Sequence, residues 1–147
     1  MSIRDRVTQD MKAAMAARDQ ARLDALRLIR AEILKADKET GQPIDDDQQM
    51  AVLQKMLKQR QEAIEQYVAG GRPEQAEQER AALQELAQAC KDLNAQLADA
   101  REKAKEQEEV LTKARARIEK TFAGQKQELQ KQIAAAMDVQ LQAQRRR

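Results

Sequence analysis

The chain has 147 residues, and its 27 Lys/Arg nearly balance its 25 Asp/Glu. Apolar residues are mostly Ala and Leu, Tyr67 and Phe122 are the only aromatics, and Gly and Pro are scarce, which fits long helices and coiled coils rather than sheets. His is absent, which removes the commonest general base, triad partner and zinc ligand, and the single Cys90 excludes both an intramolecular disulfide and a Cys-rich metal site.

The first helix is expected to start at Ser2, where Ser2-x-x-Asp5 resembles a capping arrangement, with Ile3, Val7, Met11 and Ala14 or Met15 as its apolar stripe. Asp19 is placed to cap a second helix from Gln20 to about Glu39, whose buried face is Leu23, Leu26, Ile29 or Arg30, and Ile33. Gly41-Gln42-Pro43 breaks the chain. Asp45-Asp46-Asp47 then opens a third helix, with acid where the helix dipole favours it. A cation loop would interleave its ligands around a Gly, so three adjacent Asp are a poor metal pattern. The third helix runs to about Val68 and buries Met50 or Val52, Leu53, Met56 or Leu57, Ile64 and Tyr67. Ala69-Gly70-Gly71-Arg72-Pro73 is the second break, with Pro73 suited to the first turn of a new helix.

From Glu74 to Thr121 there is neither Pro nor Gly. Leu86, Cys90, Leu93, Leu97, Ala100, Ala104, Gln107, Leu111, Ala114 and Ile118 step alternately by four and three, which is a heptad seam. Such a seam requires a partner helix, from another copy or from the rest of the chain. Near Phe122-Ala123-Gly124 the register slips. A continuous helix with a changed supercoil is favoured over a turn at Gly124, because a lone Gly is a weak turn signal. The fold class expected is all-α: a small antiparallel helical bundle over 1–88, followed by a long coiled-coil-like helical extension over 89–147. Leu86, Cys90, Leu93, Leu97, Leu111 and Ile118 form its candidate association seam.

The charge is unevenly spread: net +2 in residues 1–40, −4 in 41–90 and +4 in 91–147. The C-terminal part, ending in Arg145-Arg146-Arg147, is the one suited to a polyanion. The N-terminus has no apolar signal-peptide core and no window approaches a membrane span. With a lone Cys, a reduced, cytoplasmic setting is the simplest expectation.

Several motifs now stand in a recognisable order: Asp10-x-Lys12-x-Ala14, Arg18-Asp19-x-x-Arg22-Leu23-x-x-Leu26-Arg27, Leu53-x-Lys55-x-x-Lys58-x-Arg60-x-Glu62-Ala63-Ile64-Glu65-x-Tyr67, and Gly71-Arg72 before Ala76-Glu77-x-Glu79. This order resembles the N-terminal helical domain of the GatB/YqeY family, over residues about 2–86. The resemblance implies an all-helical protein with an N-terminal bundle and a smaller C-terminal domain. That domain is similar to the tail of the tRNA-dependent amidotransferase B subunit, which contacts tRNA. It also implies, by kinship alone, carbon–nitrogen ligase chemistry with glutamine as amide donor. After Glu79 the pattern departs. Where the family closes its bundle with Tyr-Leu-Pro, this chain has Ala89, Cys90 and Lys91, and nothing beyond Lys91 resembles the tail domain. A family bundle joined to an unrelated coiled-coil extension is therefore expected.

The residues offer no Gly-rich phosphate loop and no nucleophile singled out by spacing, since Ser2 is the only Ser and the carboxylates lie among Lys and Arg. No catalytic residue, metal or cofactor is expected. Arg18, Arg22, Lys55, Lys58 and Arg60 are the family-matching cations and the candidate RNA contacts, with Arg18 and Arg22 one helical turn apart. Against them stands the reading that Arg18, Asp19, Arg22 and Asp24 are bundle caps and ion pairs. Partners expected are tRNA, or a second copy or partner helix along 83–141.

Overall fold

The computed structural model describes residues 2–147, which contain four helices and no strand: α1 (Ile3–Ala16), α2 (Gln20–Thr40), α3 (Asp46–Ala69) and α4 (Pro73–Arg145). The chain divides into two units, one ending at Arg101 and the other running from Glu102 to Arg147.

In the first unit α1, α2 and α3 each begin where a side chain can take up free N–H groups. The Ser2 hydroxyl accepts from Asp5 N–H while the Asp5 carboxylate accepts from Ser2 N–H at 3.0 Å, closing a capping box with Asp in place of the usual Glu. Asp19 Oδ1 accepts from Arg22 N–H at 3.1 Å, as its position predicts. Asp45 and Gln48 make the reciprocal pair at the start of α3, at 2.8 and 2.9 Å. Gly41 ends α2 with φ +73°, a conformation that only Gly adopts without a Cβ penalty.

The core gathers one stripe from each helix. Ile3, Val7 and Ala14 of α1 meet Leu23, Leu26, Ile29 and Ile33 of α2, Leu53 and Met56 of α3, and Leu86, Ala89, Cys90, Leu93 and Leu97 of α4. The seam residues nearest the bundle are thus its own fourth wall. The unit extends past the expected limit at Gln88 because Ala89, Cys90, Leu93 and Leu97 still have three other helices to pack against.

Polar stitches tie the helices together. Arg4 of α1 grips Asp37 of α2 with two bonds of 2.6 Å, and Asp37 also accepts from Ile44 N–H at 2.9 Å. The Ile44 carbonyl in turn accepts from Arg4 and from Gln49, whose buried amide reaches it at 2.8 Å. The three adjacent Asp go to three partners. Asp45 caps α3, Asp46 accepts from Ile3 N–H at 3.0 Å and so caps α1 from across the bundle, and Asp47 pairs with Arg101 at 2.8 Å. Their carboxylates point apart.

The second unit is helical from Glu102 to Arg145, through Gly124, and every one of its residues is exposed. Gly124 is a mid-helix residue, in line with the favoured reading; a Cβ added there meets nothing within 4 Å. The small second domain that the family resemblance implies is not formed. These residues make one helix.

Candidate functional site

The five candidate RNA-contact cations do not form one patch. Arg18 is exposed but outside α2: it sits in the turn with φ +55°, so the one-turn spacing that would place it beside Arg22 does not apply. Arg18 N–H donates to the Met15 carbonyl and Asp19 N–H to the Ala14 carbonyl, which makes a Schellman turn with Arg at the position normally held by Gly. Arg22 is half-buried and committed to the bundle, 3.0 Å from Asp92 of α4 and 3.8 Å from Asp10 of α1. Arg60 pairs with Glu79 at 3.3 Å, bridging α3 and α4. Two of the five are therefore engaged within the bundle; of these the ion-pair reading names Arg22 but not Arg60. Lys55 and Lys58 are exposed on α3 and pair with no carboxylate among the described residues, but Glu62 stands one turn from Lys58 and dilutes their field.

The candidate seam also splits. Leu86, Cys90, Leu93 and Leu97 are between 0% and 5% exposed, so another chain cannot reach them while the bundle is folded. Replacing Leu93 or Leu97 by Asp would unfold the bundle rather than report on association. Burial pushes the Cys90 thiol up to about 11, which leaves it protonated and a poor nucleophile at neutral pH. Leu111 and Ile118, by contrast, are 62% and 67% exposed.

They have company. Leu111, Ile118, Phe122, Leu129, Ile133 and Met137 are all more than half exposed and follow one another at steps of seven and four. In a helix of 3.6 residues per turn both steps return to the same side, so one apolar stripe runs along this arm. The step of four from Ile118 to Phe122, which breaks a strict heptad, is what keeps the stripe straight on an uncoiled helix. In the sequence it is the register slip near Phe122, past which Phe122, Leu129 and Ile133 carry the stripe on. Lys113, Lys120 and Lys131 lie on the opposite side by the same period. From Val110 to Arg147 there are nine Lys/Arg against three Asp/Glu.

Elsewhere the first unit offers little for chemistry. A shallow groove of about 360 Å³ between α2 and α4 is lined by Ala21, Ala25, Leu28, Ala81, Ala82 and Leu86, with Asp24 and Glu85 its only ionisable groups. No group of three His, Cys, Asp or Glu among the described residues converges as a metal site, and no helix is long and apolar enough to cross a membrane.

The motif order, the four-helix architecture and the cap positions meet in one comparison: a family model described as Yqey-like protein matches residues 4–140. The chain belongs to this family. The match runs well past Lys91, so the extension is not foreign to the YqeY-like pattern, contrary to the expectation drawn from the lost Tyr-Leu-Pro. What the loss of that stop changes is the local structure, because α4 continues where a Pro would end it. No curated protein matches the chain.

Proposed function

We propose that this YqeY-like protein is a non-catalytic accessory protein that works by association, with the helical arm from Glu102 to Arg147 as its docking element. The observation that carries this reading is the exposed stripe from Leu111 to Met137, a row of large apolar side chains that the first unit's core does not use. An isolated helix gains little from such residues, whereas a partner helix laid along them removes them from water at about 25 cal/mol per Å². The partner is a helix, from a second copy or from another protein. Ile118→Asp together with Phe122→Asp should abolish complex formation, read by light scattering or by affinity capture, while the helix content and melting of the first unit stay unchanged. Complexes that survive the double substitution would refute this reading.

The family kinship and the basic arm favour a second reading, tRNA contact in translation, with the amidotransferase link as its context and the cytoplasm as its setting. On the first unit Arg18, Lys55 and Lys58 remain free for phosphate, whereas Arg22 and Arg60 are engaged. The arm adds the denser positive charge. Phosphate contact of this kind weakens steeply with salt. tRNA titrations of the full chain between about 50 and 200 mM salt should show that loss, and binding that is absent at low salt or indifferent to salt rules the reading out. The carbon–nitrogen ligase activity of the kin has no support in the residues, because the sole thiol is buried and protonated.

A further inference from the structure

We infer that the partner of the arm is a second copy of this chain, laid antiparallel along the stripe with Ile118 of one copy against Leu129 of the other. The inference rests on the association reading above and adds the partner and its direction.

From Leu111 to Met137 the stripe covers 26 residue steps, or about 39 Å of helix, which reaches the length at which two-stranded pairing becomes stable.

Glu119 and Lys126 flank the stripe on the same side, seven residues apart, and both are exposed. In an antiparallel pair, flanking residues on the same side of the two stripes face each other. When Ile118 lies against Leu129 of the second copy, Glu119 meets Lys126 of the second copy, and the two-fold axis makes the same pair again. In parallel, in-register helices the flanks meet about five residues apart. Glu119 then faces Ala114 and Lys126 faces Thr121, so neither charge finds its opposite.

The blocks of charge agree. Residues 102–109 carry four Glu and two Lys, while the helix closes on Arg145-Arg146-Arg147. Antiparallel copies bring the acidic beginning of one arm towards the basic end of the other. Parallel copies stack Arg on Arg and Glu on Glu.

Outside the central Ile118–Leu129 pairs, the antiparallel register sets Leu111 against Ala136 and Ile133 against Ala114, so that large side chains meet small ones in the outer layers, and Phe122 lies against Gln125.

The test uses the full chain. Light scattering should give a dimer. Glu119→Lys or Lys126→Glu alone should weaken it about tenfold, and the two reversals combined should restore it to within about threefold, as a pair with exchanged signs requires. Single-cysteine reporters read the direction. Ile118→Cys mixed with Leu129→Cys should form a mixed disulfide, while Ile118→Cys alone should not cross-link; the native Cys90 is buried and does not compete. Efficient cross-linking of Ile118→Cys with itself would establish a parallel dimer, which overturns this pairing and leaves the association arm standing. A monomer at every concentration overturns the second copy as the partner, and the arm reading then stands or falls on capture of a different helix.

Discussion

Arg18 occupies a backbone position that Gly71 fills at the equivalent turn before α4. Both turns close with the same two carbonyl bonds: from Arg18 and Asp19 to Met15 and Ala14, and from Gly71 and Arg72 to Val68 and Tyr67. Their φ values are +55° and +69°. A residue with a Cβ loses about 1 kcal/mol there relative to Gly. The Arg18 side chain is exposed and makes no ion pair among the described residues that would offset this loss. Arg18→Gly should therefore raise stability by about 0.5–1 kcal/mol in urea unfolding. If the tRNA reading holds, the same variant should bind tRNA less well, so that stability and binding move in opposite directions. Asp37 presents a different case. The Arg4 guanidinium, and after it the Ile44 N–H, hold its carboxyl below the ordinary aspartate value. A depressed acid contributes stability that is fully present above its unfolded value, near pH 4, and is lost as pH falls through the folded one. Asp37→Asn should lower the melting temperature at pH 7, and the gap to the parent should close as pH is taken from 5 to 2. A gap that stays constant over that range would mean the bond geometry, not the charge, is what matters.

At the scale of elements, α4 shows how one sequence pattern serves two environments. Leu93 and Ile118 belong to the same seam by spacing, yet Leu93 is 0% and Ile118 67% exposed. Leu93→Ala should cost about 3 kcal/mol of folding stability, because the packed walls of α1, α2 and α3 cannot collapse fully into the space left. Ile118→Ala should change the unfolding of the first unit by less than about 0.5 kcal/mol. The seam's periodicity was legible in the sequence because it follows from helix geometry. Its division was not, because what a seam meets depends on where three other helices end. The caps of α1 and α2 were legible for the opposite reason: Ser2 and Asp19 act on backbone N–H groups three residues away, and Gly41 supplies the left-handed φ that ends α2. Asp46 capping Ile3, 43 residues away, and Arg4 gripping Asp37 had no local signature, since nothing in a charged residue's immediate neighbourhood names a distant partner. Arg22 misleads in the same way. It reads as a surface cation, but Asp10 and Asp92 take it into the bundle.

At the scale of the molecule, the two units draw on different sources of stability. Every residue of the buried cluster lies at or before Leu97, whereas the arm from Glu102 onward has no buried side chain. The first unit should accordingly fold without the arm. A chain ending at Arg101 keeps all fifteen residues of that cluster, together with the Arg101–Asp47 pair, and should melt within about 2 °C of the full chain, since surface changes of this kind stay within about 0.5 kcal/mol. The arm should be less independent. A helix without tertiary contacts is held by propensity alone, and its ends fray. Hydrogen exchange should therefore find the amides of 102–147 far less protected than those of Leu26, Leu53 or Leu93 in dilute solution. Their protection should rise with protein concentration as the arms pair. Gly124 sharpens the point. Gly124→Ala removes the one poor helix former from the middle of the arm without meeting any neighbour, a gain of about 1 kcal/mol in helix stability. In the unpaired arm that gain should appear as higher helix content in circular dichroism. By the helical period Gly124 lies with Lys113, Lys120 and Lys131 on the side away from the stripe, so the added methyl stays out of the contact and association should strengthen in step with helix content. If association weakens instead, Gly124 lies in the contact, and the stripe from Leu111 to Met137 is not the face that pairs.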